Sequence, residues 1–183
     1  FLALFVASVF VAGGAEFDRM LVWNRRPDLL LRLLVPVLSG VLIAAGFSSG
    51  LRAAVRDLRR VLKLSGRLPS DFVDMVSPFG VLVNMGLLGL VAWGYVLAVG
   101  APLNGPVLVA ILTVMGFGAF GKHLRNCLPV VAGVFAATLL FGIDPAAAGA
   151  ILALLFGTTL APIAGDFGMG VGFVAGILHF VIV

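Results

Sequence analysis

The side chains best suited to chemistry lie together, directly after a glycine-rich stretch. Residues 116–121 read Gly-Phe-Gly-Ala-Phe-Gly, and Lys122, His123 and Arg125 follow them; no other lysine or arginine lies beyond Arg67. Histidine titrates near neutral pH, and cations after a helix end interact with its free carbonyl groups and with passing anions. The cluster predicts either an anion or proton site beside an interrupted helix, or a connection whose cations only fix its side of a membrane.

The glycine-rich stretch also matches the G-x-G-x-x-G pattern of a dinucleotide-binding fold, and Asp144 lies 23 residues after Gly121. That fold requires a helix with a polar outer face after the glycines. Here the next segment contains Pro129, and every later segment is apolar all round. The glycines are therefore more typical of close helix contact, or of unwound backbone at membrane depth, than of a nucleotide site.

Other kinds of reactive site lack the residues they need. The chain has two histidines, 56 positions apart, and one cysteine, so no spacing suits a metal ion. No serine lies in a nucleophile-elbow context, and acid–base groups are few and scattered. The sequence therefore predicts no metal, no cofactor and no enzyme activity.

Composition indicates the class of protein whose helices hold the cationic cluster in place. Hydrophobic residues make up 62% of the chain and charged residues 11%, and the mean hydropathy is +1.22. Soluble domains contain about 45–50% apolar and about 25% charged residues. So few charges cannot cover a soluble fold, and the apolar runs require lipid. The sequence predicts an all-α, polytopic transmembrane helical bundle of about six membrane segments, some short or broken, in a single domain over residues 1–183.

The order of the segments follows from the apolar runs. The chain begins and ends inside such runs, so we expect an internal fragment of a longer protein. The run over 107–120 has only 14 residues, so it is either a tilted span or a re-entrant segment. The predicted elements are the tail of a first span (1–15), a mixed-charge connection (16–28), spans over 29–47 and 81–99, a short helix over 71–76 capped by Ser70, and helices over 128–142, 146–160 and from 168 onward.

Residues 48–68 carry the sharpest local pattern. Leu51, Val55, Leu58 and Leu62 recur at helical spacing beside a parallel row of cations. The sequence predicts a basic amphipathic helix on the cytoplasmic surface, with the bilayer and its anionic headgroups as partners. A plain charged connection that sets topology remains the alternative. The membrane-surface cations are Arg52, Arg56, Arg59, Arg60, Lys63 and Arg67.

Polar residues inside apolar segments are the candidates for a solute pathway. Such residues are costly in lipid and usually face protein or water. The substrate-pathway candidates are Asp71, Asp74, Asn84, Asn104, Lys122, His123, Asn126, Asp166 and His179. Gly168, Gly172 and Gly176 recur every fourth residue and predict a close helix contact. We also expect a possible homo-oligomer and no binding of nucleic acid.

Several stretches from about residue 70 onward resemble a known family. They include residues 87–89, 102–106, Gly-Lys-His-Leu-Arg-Asn over 121–126, and Gly-Thr-Thr-Leu-Ala-Pro over 157–162. The chain resembles the central part of an uncharacterised prokaryotic multi-pass membrane family, catalogued as a domain of unknown function, which usually has Pro where this chain has Leu124. The resemblance implies the cytoplasmic (inner) membrane of a bacterium or archaeon. A weaker likeness to urea-channel-type transporters implies a solute pathway.

We therefore expect a small-solute transporter or channel-like permease of unknown substrate. The alternative is a non-transporting membrane scaffold or assembly subunit. The two differ in where the polar residues lie, because a pathway brings them around one centre and a scaffold spreads them along the two interfaces. The residues that decide are Asp71, Asp74, Asn84, Lys122, His123 and Asp166.

Overall fold

Helices make up all the regular secondary structure of the described residues. A computed structural model of the chain describes residues 29–183 apart from Leu68 and Ser70, and it contains no strand in that part. The all-α prediction is therefore confirmed. The predicted span over 1–15, the connection over 16–28 and the cap at Ser70 lie outside the described residues.

Nine α-helices follow one another along the described chain, and most begin or end at a glycine, a proline or a capping polar residue. Two 3-10 turns interrupt the apolar runs, at Phe117–Ala119 and Thr158–Leu160. The helices are α1 Leu29–Phe47, α2 Leu51–Val61, α3 Phe72–Met75, α4 Pro78–Ala98, α5 Gly105–Gly116, α6 Leu124–Leu140, α7 Ala148–Gly157, α8 Ala161–Phe167 and α9 Met169–Ile182.

Two of these helical stretches have the length and apolar character to cross a membrane. They are α4 and the stretch Ala148–Phe167, which joins α7, the second 3-10 turn and α8; a third exists if α1 and α2, bent by 110°, count as one span. The stretches Gly105–Ala119, Leu124–Leu140 and Met169–Ile182 are apolar but shorter. The longer stretches could cross a membrane, but the expected count of about six segments exceeds the two or three of spanning length among the described residues, because glycines and prolines end the other helices early.

The helices pack against one another through glycines that leave no room for a side chain. A Cβ on Gly46 would lie 2.5 Å from Val83, and one on Gly86 would lie 2.6 Å from Ile43. These pairs show that α1 and α4 run antiparallel. The fully buried core lies where α4, α5, α6 and α7 meet, at Val96, Val107, Ala110, Ile111, Val134 and Ile151.

The closest helix contact joins α6 and α9, which run parallel. A Cβ on Gly133 would collide with the carbonyl of Phe173, and one on Gly176 with the carbonyl of Val130. Gly172 likewise lies against Ala164, so two members of the predicted glycine row make the expected contact. Gly168 does not belong to this contact, because it lies in the turn before α9, with φ +94° and nothing within 4 Å of a Cβ.

The basic helix α2 lies across one end of the bundle and is shorter than the predicted 48–68. Its face toward the bundle consists of Ala54, Asp57 and Val61, and Leu51 of the predicted apolar stripe is 67% exposed. The Ser77 hydroxyl donates to the Asp57 carboxylate at 2.9 Å and thereby fixes the rotation of α2. The six predicted surface cations are all exposed as a result: Arg52, Arg56, Arg59, Arg60, Lys63 and Arg67.

Gly176→Ala is expected to destabilise the protein, because the added methyl group meets the Val130 carbonyl, which is backbone and cannot rotate away. Overpacking of this kind costs about 1–3 kcal/mol. Gly170→Ala is the matched control, since the same methyl group meets nothing within 4 Å on the same helix. Thermal unfolding in detergent measures both, and equal midpoints for the two variants would contradict the close α6–α9 contact.

A buried polar cluster at one end of the bundle

Four of the predicted pathway residues meet at the end of the bundle that carries α2. We call Asn84, Lys122, His123 and Asn126 the polar cluster; each is at most 4% exposed. Asn84 lies in the second turn of α4, Lys122 and His123 lie between the first 3-10 turn and α6, and Asn126 lies in the first turn of α6. A buried polar group requires a hydrogen-bond partner to offset its loss of water. The partners of these four residues therefore determine what the cluster can do.

The chain reaches the cluster through a reversal that glycine makes possible. After the first 3-10 turn, Gly121 adopts φ +98°, a backbone conformation that other residues rarely adopt. His123 is extended and forms the N-cap of α6. Leu124, where the resembled family usually has Pro, is the first residue of the helix, and proline is well tolerated there.

His123 fixes the start of α6 and a neighbouring loop at once. Its Nδ1 accepts from the Asn126 backbone N–H at 3.2 Å, and its Nε2 lies 2.8 Å from the Leu64 carbonyl oxygen. Because Nδ1 accepts, the hydrogen-bond network assigns the proton to Nε2 and makes the ring neutral. Burial lowers the pKa of His123, which lies in a loop outside the membrane-spanning helices.

Asn126 completes the capping box and also contacts that loop. Its Oδ1 accepts from the His123 backbone N–H at 2.9 Å. Its Nδ2 donates to the Gly121 carbonyl at 2.8 Å and to the Ser65 carbonyl at 3.3 Å. We call residues 62–67 the strap, because these bonds hold the segment across the end of the bundle. The exposed Arg67 at its end forms an ion pair with Asp166 at 3.8 Å.

Asn84 attaches α4 to the loop around Gly121 in which the chain reverses its direction. Its Nδ2 donates to the carbonyls of Gly118 and Lys122, both at 2.8 Å. This arrangement sets the amide orientation, since a flipped group would place its oxygen against two carbonyl oxygens. The Asn84 Oδ1 is a buried acceptor without a donor among the described residues.

Lys122 joins the two 3-10 turns. Its Nζ donates to the Thr158 hydroxyl at 2.9 Å and to the Thr159 hydroxyl at 3.4 Å, and it lies 4.9 Å from the centroid of the Phe117 ring. Within the described part of the chain it forms no ion pair with a carboxylate. Burial lowers the pKa of this lysine, which lies in the same loop as His123. A buried ammonium group is thus held by neutral partners alone.

The remaining predicted pathway residues lie elsewhere. Asp166 pairs with Arg67 at the edge of the strap, but Asp71 caps the short helix α3 and Asp74 is exposed. Asn104 caps α5 at the opposite end of the bundle. His179 is half-buried with its Nε2 3.1 Å from the Ala153 carbonyl. Asp71 and Asn104 are thus committed to capping their own helices, away from the cluster.

Sequence reasoning missed the partners of the cluster. Thr158 and Thr159 lie in the stretch 157–162 that carries the family resemblance, but they were not among the predicted pathway residues. The strap carbonyls carry no such signal, because every residue has a carbonyl group. Among the described residues no three His, Cys, Asp or Glu side chains lie close enough to hold a metal ion.

Comparison with known proteins gives a family but no function. A family model described as "Protein of unknown function (DUF1576)" matches residues 50–183. No curated protein and no solved structure matches the chain. The weaker likeness to urea-channel-type transporters therefore gains no support from these comparisons.

Asn126→Ala is expected to destabilise the protein by about 2–3 kcal/mol, because it removes three hydrogen bonds and leaves buried backbone groups unpaired. Asn104→Ala is the matched control: it removes a single capping bond at the other end and is expected to cost about 1 kcal/mol. Thermal unfolding in detergent measures both. A smaller loss for Asn126→Ala than for Asn104→Ala would show that the strap bonds contribute little.

The neutral state of His123 predicts a dependence of stability on pH. Its folded pKa is lowered, so the unfolded chain, with an ordinary histidine pKa of about 6.5, binds more protons once the pH falls below about 7. Stability contributed by His123 is therefore present above about pH 6.5 and is lost as the pH falls. His123→Asn keeps a capping side chain but removes the titrating ring. The unfolding midpoint of the wild type should drop more between pH 7.5 and 5.5 than that of His123→Asn, and parallel profiles would contradict this prediction.

Proposed function

Since this chain belongs to the family described as a protein of unknown function (DUF1576), we propose a function from its geometry: a multi-pass membrane permease for a small solute. Its place is the cytoplasmic membrane of a bacterium or archaeon, with the exposed cations of α2 against anionic headgroups. A homo-oligomer is compatible with this proposal.

The observation that carries the proposal is the buried ammonium group of Lys122. An ionisable side chain among apolar helices is costly and is usually retained for function. A lysine that served only to stabilise the fold would be expected to pair with a carboxylate. Lys122 instead lies between two threonine hydroxyls and an aromatic ring, which leaves its charge uncompensated by described residues.

The position of Lys122 supports a pathway as well. Its bonds connect the loop after the first 3-10 turn with Thr158 and Thr159 of the second. Interrupted helices that meet at polar residues are the usual sequence pointer to a transporter's binding site. The unpaired Asn84 Oδ1 on the other side of this loop adds a hydrogen-bond acceptor.

Passage of a solute requires the bundle to open. A cavity of about 40 Å³ borders Thr158 between α4 and α6, which is room for about one water molecule. On the other side, the strap covers His123 and Asn126 through their bonds to the Leu64 and Ser65 carbonyls. The proposed permease therefore alternates between this closed arrangement and one in which the strap has moved away.

A scaffold without transport is the second candidate, and a specific observation favours it. The side chains of His123 and Asn126 direct their polar atoms to protein partners, so these two residues have the contacts expected of structural supports. Lys122 separates the two candidates, because a scaffold would have no need for its buried charge. We continue to propose that the protein is not an enzyme.

Lys122→Gln is expected to lower solute flux at least about tenfold, since a charged hydrogen-bonding group is removed from the pathway. Purified protein in liposomes is tested by stopped-flow light scattering with urea, glycerol and potassium acetate as probes. The wild type should raise permeability above that of protein-free vesicles for one or more probes. Glutamine keeps hydrogen-bonding capacity toward Thr158, so the variant is expected to insert and fold.

Arg52→Gln is the matched control, because it removes one positive charge from an exposed position on α2. Its flux should equal that of the wild type. Wild-type vesicles that behave like protein-free vesicles with all three probes would count against the permease. Unchanged flux through folded Lys122→Gln would remove Lys122 from the pathway.

A further inference from the structure

A cleft next to the polar cluster has the features of an anion site. It has a volume of about 170 Å³ and lies between the strap, the start of α6 and the corner where α8 meets α9. Lys63 lines it from the strap, and Arg125 lines it from α6. None of the described Asp and Glu residues lines this cleft. Since about 30 Å³ holds one water molecule, the cleft has room for about five waters or for one small oxyanion.

The two cations of the cleft have no acidic partner of their own. Neither Lys63 nor Arg125 forms an ion pair or a side-chain hydrogen bond with any residue in the described ranges. The nearby carboxylate of Asp166 is paired with Arg67 instead. Both side chains are exposed, so an anion that enters the cleft from solution can reach the two cations on their separate walls. Their placement therefore favours a negatively charged occupant.

Backbone groups add to the positive character of the cleft. Gly168 and Met169 line it, and they are the N-cap and first residue of the 14-residue helix α9. No side chain caps this helix, and its first turn holds no acidic residue. The first N–H groups of a helix have no partner inside the helix and favour an anion. The start of α6, in contrast, is closed by His123.

Buried hydrogen bonds hold the cleft in shape. His123 and Asn126 line its inner wall and are bonded to the Leu64 and Ser65 carbonyls, so the strap wall is fixed relative to α6. At the third wall, a Cβ on Gly165 would collide with the Ser65 carbonyl, which shows how closely the strap and α8 pack. A preformed cleft reduces the ordering cost of binding.

We propose that this cleft binds a phosphate-type oxyanion between Lys63, Arg125 and the start of α9. Arg125 can donate two parallel hydrogen bonds to such a group, and Lys63 provides a second charge. The anion comes either from the solution or from the headgroup of an anionic lipid, since α2 and the strap form the basic surface of the protein. The site does not involve Lys122, and it belongs to the closed arrangement, in which the strap is in place.

Binding is tested in an uncharged detergent with inorganic phosphate, and in nanodiscs of phosphatidylcholine alone or with phosphatidylglycerol. The thermal unfolding midpoint is followed in each condition. The wild type should be stabilised by free phosphate or by phosphatidylglycerol, and the dissociation constant for the effective anion should rise about tenfold in Arg125→Gln. Lys63→Gln should weaken binding in the same direction, and it provides the test if Arg125→Gln fails to fold.

Arg59→Gln is the matched control, because Arg59 is an exposed cation of α2 that does not line the cleft. Stabilisation by phosphate that persists in Arg59→Gln and is lost in Arg125→Gln supports a site for free oxyanions. Stabilisation by phosphatidylglycerol and not by free phosphate, if it persists in Arg59→Gln and is lost in Arg125→Gln, supports a site for a lipid headgroup. Equal losses in Arg59→Gln and Arg125→Gln, or no stabilisation of the wild type by either anion, would overturn the proposal whatever the outcome of the flux measurements.

Discussion

The bonds from His123 and Asn126 to the strap carbonyls hold together the end of the bundle at which its polar residues meet. His123 starts α6 and reaches the Leu64 carbonyl, while Asn126 reaches the Ser65 carbonyl. Because these groups are shielded from water, an unmade bond would cost about 1–3 kcal/mol. The strap, the loop after α5 and the start of α6 are therefore bound to one another, and the cleft between the strap, α6 and the corner of α8 and α9 depends on them.

Lys122 differs from its neighbours in the kind of partner it has. Asn84, His123 and Asn126 bond mainly to backbone groups, which any sequence supplies, whereas Lys122 bonds to two threonine side chains. A neutral side chain in its place would need no desolvation of a charge. This contrast separates residues that stabilise the fold from the one whose charge requires another explanation, and the permease proposal depends on that separation.

Glycines allow the apolar part of the protein to pack without large side chains between the helices. Gly133 and Gly176 bring α6 and α9 into backbone contact, and Gly46 and Gly86 do the same for α1 and α4. Helices in lipid gain little from burying apolar surface, so close packing of this kind is a main source of their association. The same parallel packing places the starts of α6 and α9 at one end of the bundle, beside the strap.

Composition and periodicity by themselves determined the all-α class, the basic α2 and the close contacts of Gly172 and Gly176 on α9, since these depend on local spacing. For the described residues the sequence predicted more membrane segments than the two or three helical stretches that reach spanning length, because it cannot show where a glycine or proline ends a helix. It also could not separate Asp71 and Asn104, which only cap helices, from Asn84 and Asn126, which meet in space. Only the tertiary structure decided that, because the partners of Lys122 and His123 lie 36 and 59 residues away along the chain.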